Sequence, residues 1–151
     1  MPEFRFDHVA VAVRSIKDAM RLFVDGLGGE YLMGGDVNGI WRWLQMRFPG
    51  GGKVELLEPL SDDSFLTKFL ERRGEGLHHI TFKTDDIHAA IEHVQQMGYE
   101  LVDINTENAG WKEAFFRPSS SHGVLIQIAQ SALEDDEVKD QLRPSNLEEL
   151  I

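Results

Sequence analysis

HHITFKTDDIHAAI, residues 78–91, decides the fold, because the chain has already spelled it once as DHVAVAVRSIKDAM, residues 7–20. Shifted by 71 positions, His8 meets His79, Val9 meets Ile80, Val11 meets Phe82, Ile16 meets Ile87 and Ala19 meets Ala90. Each copy opens on alternating residues, crosses a polar turn and continues with apolar residues at helical spacing. That pattern predicts strand, turn and helix. Ser15 is positioned to cap the first helix, and Asp85 or Asp86 the second. Gly26 and Gly98 stand where each helix should stop.

After each helix the sequence becomes strand-like. The first copy reads EYLMGG, GIWRWLQMRF and KVELLEPL; the second reads YELVDIN, GWKEAFFRP and GVLIQIAQ. Turns rich in Gly, Asn, Pro and Ser separate these runs. Each half is therefore βαβββ, with half one at residues 4–60 and half two at 75–130. A linker helix within 61–74, SFLTKFLERRG, joins them, with Phe65, Leu66, Phe69 and Leu70 on one side. The expected class is α+β: two βαβββ modules forming a pseudo-twofold, eight-stranded, cupped sheet with helices outside. Residues 1–130 make one domain and residues 131–151 an acidic tail. The concave face is the expected place for a site.

Strand alternation selects the residues that face it. Val9, Val11 and Val13 form a β-branched face suited to packing on helices. His8, Ala10 and Ala12 take the other face, where small side chains leave room. In the second copy His79, Thr81 and Lys83 share a face, so His79 is the counterpart of His8 and His78 is structural. Glu55 and Gln127 interrupt apolar final strands, and a shift of 72 superposes them. A carboxylate buried in a strand costs several kcal/mol unless it is paired or ligated. A single strand histidine is ordinarily a hydrogen-bonded core residue. Four polar residues at repeat-related positions on one face, His8, Glu55, His79 and Gln127, are what a divalent metal would satisfy.

Composition limits the alternatives. The 151 residues contain no cysteine, so thiolate nucleophiles, disulfides and cysteine metal sites are excluded. The net charge is −11, of which the tail carries −5 through seven acids set against Lys139 and Arg143. Nucleic acid needs a basic footprint and is not the expected partner. No apolar run reaches membrane-spanning length and the start lacks a signal-peptide pattern, so the expectation is a cytoplasmic protein with no membrane partner.

The stretches FDHVAVAV, VELLEPLSDDSFLTKFLERRGEGLHHITFKTDDI and HGVLIQIAQ resemble the vicinal oxygen chelate superfamily, which includes glyoxalase I, extradiol dioxygenases and antibiotic-resistance proteins. Within it the chain is most similar to methylmalonyl-CoA epimerase. The resemblance implies a divalent metal (Co, Ni, Mn, Zn or Fe) on His8, Glu55, His79 and Gln127, and stabilisation of an enolate or enediolate of a small oxygenated or acyl-thioester substrate. The chain departs from the epimerase pattern in having Glu55 where that family has Gln and Gln127 where it has Glu. A second family glutamate falls opposite Arg42. An amide cannot act as a base at neutral pH, so one face of the reacting carbon is expected to lack its base.

The leading expectation is a metal-dependent isomerase or lyase, with Glu55 as ligand and base and Arg42 neutralising a carboxylate or oxyanion. One alternative is a non-catalytic, resistance-type binding protein that stacks a flat ligand on Trp41, Trp43, Trp111 and Phe115, unless these rings are core. Another is an Fe(II) dioxygenase with a triad of His8, His79 and Glu55. Exposed strand edges suggest a homodimer.

Overall fold

A computed structural model of the chain describes residues 1–132; the acidic tail beyond them lies outside the described residues. The elements run β1 (Arg5–Ala12), α1 (Ile16–Met20), β2 (Glu30–Val37), β3 (Trp41–Arg47), β4 (Lys53–Pro59), α2 (Phe65–Arg73), β5 (Gly76–Lys83), α3 (Ile87–Gln96), β6 (Leu101–Asn105), β7 (Trp111–Phe116) and β8 (Ile126–Ser131). This is βαβββ twice, with α2 as the linker. One eight-stranded mixed sheet has the order β2-β3-β4-β1-β5-β8-β7-β6. In each half the first and last strands pair in parallel, β1 with β4 and β5 with β8, and the remaining ladders within the halves are antiparallel.

The helix boundaries follow local chemistry. Ser15 caps α1 by accepting from the Asp18 N–H at 3.1 Å, and Asp86 caps α3 by accepting from the Ala89 N–H at 3.0 Å. Gly98 follows α3 at φ 92°, the left-handed stop that glycine adopts cheaply. Gly26 does not stop the first helix: the chain continues beyond Met20 as a π-helical stretch, Arg21–Gly26, and turns left-handed at Gly28 instead.

The described residues form two compact units, residues 9–78 and residues 1–8 with 79–132. In the first, Val13, Ile16, Leu44, Met46 and Leu56 form a buried cluster that Val11 joins. This is the β-branched face of β1 packing on α1, as expected. On the other face Ala10, Ala12 and Leu57 pack against Leu66 and Leu70 of α2, with Trp41, Trp43 and Phe69 around them. The space expected over Ala10 and Ala12 is therefore filled by the linker helix. In the other unit Ile87, Ala90, Val94, Ala114, Phe116 and Ile128 form the core. Among the described residues no helix is long and apolar enough to cross a membrane.

Candidate metal centre

Three of the four expected ligands come together. His8, Glu55 and His79 each offer one ligand atom, and these atoms all lie within 4.8 Å of one another. All three residues are buried. The β1–β4 ladder explains part of this: Ala10 is the register partner of Glu55, and His8 lies two residues earlier on the same side of β1. The His8 and His79 rings meet edge to face with centroids 5.9 Å apart. Metal–ligand bonds of about 2.0–2.2 Å place ligand atoms up to roughly 4 Å apart, so small side-chain adjustments close this group on a cation. Two imidazole nitrogens and a carboxylate oxygen suit first-row divalent ions.

Neighbouring groups hold these side chains in place. The Asp7 carboxylate accepts from His8 Nδ1 at 2.7 Å. An ionised carboxylate has no proton to give, so Nδ1 carries the hydrogen and Nε2 is the ring atom that could ligate a cation. Lys83 Nζ lies 3.4 Å from the other Asp7 oxygen. On the first half, Gln45 Nε2 donates to Glu55 Oε2 at 2.6 Å, the two residues being direct register partners on β3 and β4. Gln45 Oε1 is buried without a hydrogen-bond partner.

Gln127 is held by hydrogen bonds within the second half. Thr81 Oγ1 lies 3.1 Å from His8 Nε2 and donates to Gln127 Oε1 at 2.7 Å. Gln127 Nε2 donates to Glu113 Oε2 at 2.6 Å, and Trp111 Nε1 donates to that same oxygen at 2.8 Å. The second half, whose final strand has an amide at this position, thus carries a carboxylate on β7, one strand away. Phe115, the register partner of Gln127, turns its ring to His79 with centroids 6.2 Å apart.

Arg42 does not join this group. On β3 it alternates with Gln45 and falls on the side of Leu44 and Met46, in the core under α1. It is buried opposite Glu58, with Nε 3.4 Å from Oε2, and that oxygen also receives the Ile16 N–H at 3.4 Å. Burial raises the Glu58 carboxyl above its ordinary pKa, against the opposing pull of Arg42 and the Ile16 N–H. Arg42 thus lies on the opposite face of the strand from Gln45, at ion-pair distance from Glu58 and away from the side expected beside Glu55.

His78 stays outside the ligand group, as expected. It sits against the Phe65 and Phe69 rings at 5.3 and 4.8 Å, and burial lowers its pKa to about 4 despite the opposing charge of Glu55. Trp41 and Trp43 are partly buried and pack against the Leu57, Leu66 and Leu70 cluster under α2. Sequence reasoning missed Asp7, Gln45, Thr81 and Glu113. The available signals were the Asp7–His8 dipeptide and the polar residues Gln45, Thr81 and Glu113 within the apolar stretches WLQM, HITF and KEAFF.

Comparisons with known proteins identify the family. Residues 7–115 match the model of the glyoxalase/bleomycin resistance protein/dioxygenase superfamily. The chain is 34% identical over 128 residues to the uncharacterized protein YqjC of Bacillus subtilis, covering 83% of this chain and 91% of that one. It is 30% identical over 132 residues to the mitochondrial methylmalonyl-CoA epimerase of Bos taurus, covering 84% and 74%. Among solved structures, a variant of the Streptomyces coelicolor methylmalonyl-CoA epimerase in complex with 2-nitronate-propionyl-CoA superposes with a TM-score of 0.72 at 28% identity, covering 85% of this chain and 98% of that one. With its duplicated βαβββ fold and matching family model, the chain belongs to the glyoxalase/bleomycin resistance protein/dioxygenase superfamily.

Proposed function

We propose that this protein is a metal-dependent isomerase that moves the proton on the carbon next to the carbonyl of a small acyl thioester, through an enolate. His8, Glu55, His79 and Gln127 are the metal ligands in this reading. The observation that carries it is the buried His8, Glu55 and His79 group, with ligand atoms within 4.8 Å. A divalent cation supplies Lewis-acid polarisation of a substrate oxygen. The chain's own residues do the rest. Asp7 fixes the His8 tautomer, and Gln45 orients the Glu55 carboxylate. Proton transfer falls to carboxylates, because the amides of Gln45 and Gln127 have no basic site at neutral pH. Glu55 supplies one in the first half and Glu113 one in the second, which answers the missing-base objection raised by Gln127. The similarity to epimerases supports an acyl-CoA thioester as the substrate class.

The test is solvent exchange. Cobalt-loaded protein in D2O with methylmalonyl-CoA or ethylmalonyl-CoA is expected to place one deuterium at the carbon between the two carbonyls, read by mass spectrometry. Metal-stripped protein and Glu55→Ala should not. A cobalt-loaded wild type that exchanges neither compound overturns the proposal.

A further inference from the structure

We propose that Glu113 is the positioning residue that turns the Gln127 carboxamide so that its carbonyl oxygen, and not its NH2 group, faces the metal. This rests on the metal reading above. A carboxamide has an oxygen end and a nitrogen end of nearly the same shape, and only the oxygen can ligate a cation. Gln127 is buried, so solvent does not choose between them. Thr81 cannot choose either: a hydroxyl can donate to a carbonyl or accept from an NH2. Glu113 can, because an ionised carboxylate only accepts. At 2.6 Å from Gln127 Nε2, a flipped amide would set two oxygens against each other. The carbonyl is therefore driven to Thr81, at 2.7 Å, whose oxygen lies 3.1 Å from His8 Nε2.

Glu113 is itself held in place. Trp111 Nε1 donates to the same oxygen at 2.8 Å. The register explains why it must reach: Gln127 pairs with Phe115, while Glu113 pairs with Ala129, so the contact runs diagonally across the β7–β8 ladder. Diagonal neighbours on one sheet face are about 7–8 Å apart, a gap that two long polar side chains span and shorter ones do not. Partners behind a ligand commonly change metal affinity by about 10–100-fold when removed.

The experiment is a Co2+ titration of metal-free protein followed by the visible d–d absorption bands, with circular dichroism reporting the fold. Glu113→Leu should weaken Co2+ binding by about tenfold or more and shift the bands. Glu113→Gln should lose less, since its carbonyl still accepts from Gln127. Gln127→Leu should match the loss of Glu113→Leu, and the double variant should bind no more weakly than Gln127→Leu alone, because Glu113 affects metal affinity only through Gln127. A Glu113→Leu protein with wild-type affinity and bands overturns the inference, as does a loss that adds to that of Gln127→Leu. If Glu113→Leu does not fold, Glu113→Gln alone and combined with Gln127→Leu carries the same comparison. A wild type that binds no Co2+ overturns the metal reading and this inference with it; a wild type that binds while Glu113→Leu is indifferent overturns this inference alone.

Discussion

β4 and β8 are the same strand written twice, and they differ at both polar positions. Glu55 and Glu58 in β4 become Gln127 and Gln130 in β8. Their tasks are unchanged. Glu58 receives the Ile16 N–H at the start of α1, and Gln130 receives the Ile87 N–H at the start of α3 at 2.9 Å. A basic residue stays opposite both, Arg42 as the register partner of Glu58 and Lys112 as that of Gln130. The partners are rearranged at the other pair. Glu55 is met by an amide directly across the ladder, whereas Gln127 is met by a carboxylate reaching diagonally. The fold fixes where polar atoms stand; which strand carries the charge can move, provided its neighbour moves too.

The largest expected effect tests that rule at the candidate ligands. Glu55→Leu removes charge and donor together, while Gln127→Leu removes only a neutral donor. Ligand charge count tunes affinity strongly, so Glu55→Leu should weaken Co2+ binding by about 100-fold or more and Gln127→Leu by about tenfold. Equal losses in parallel titrations would break the comparison, because the two strands would then contribute alike.

The next effect is on stability. Breaking a buried ion pair by removing one partner costs about 3–5 kcal/mol, whereas replacing both is often nearly neutral. Arg42→Met should therefore lose about 3 kcal/mol in urea unfolding. Arg42→Met with Glu58→Gln, which removes both charges and keeps an acceptor for Ile16, should recover to within about 1 kcal/mol of wild type. Co2+ affinity should not change in either. A drop in affinity with Arg42→Met would return Arg42 to the site and overturn its placement on the far face.

The duplication, both helix caps and His8, Glu55 and His79 were legible because each is a local pattern: period two, period three to four, or a polar residue in an apolar run. The supporting residues were not, because they depend on register. An ungapped reading along β3 selected Arg42, but a strand slip of one residue exchanges faces, and Gln45 is the residue that meets Glu55. Glu113 is hidden by the same logic, since its contact with Gln127 is diagonal. The filling of the space over Ala10 and Ala12 follows from where α2 docks, which the strands themselves do not encode.

His78 sharpens the comparison from the other side. It is the counterpart of Asp7, yet Asp7 bonds to its neighbouring histidine and His78 stacks on phenyl rings. Its folded pKa, about 4, lies below the ordinary 6.5, so the unfolded chain takes the proton first. The stabilising contribution is present above pH 6.5 and is lost as pH falls toward 4. Metal-free protein should lose about 2 kcal/mol from this residue between pH 7 and 5, and His78→Phe should flatten that slope. An unchanged slope in urea titrations at the two pH values would mean that the ring is not desolvated as its packing requires.

The smallest effect compares the two caps. Ser15 and Asp86 each accept one N–H three residues on, at 3.1 and 3.0 Å, and truncating such a cap costs about 1 kcal/mol. Asp86 adds a charge at the positive end of a ten-residue helix, worth about 0.3–1 kcal/mol more. Ser15 caps only five α-helical residues before the chain widens at Arg21, and Asp18 already supplies an acid in that first turn. Asp86→Ala should therefore destabilise more than Ser15→Ala, by a few tenths of a kcal/mol at low salt and less at high salt, where the dipole term is screened. The reverse order would mean that the start of α1 is held chiefly by its cap, so that the Glu58 bond to Ile16 contributes less there than the Gln130 bond to Ile87 does in α3.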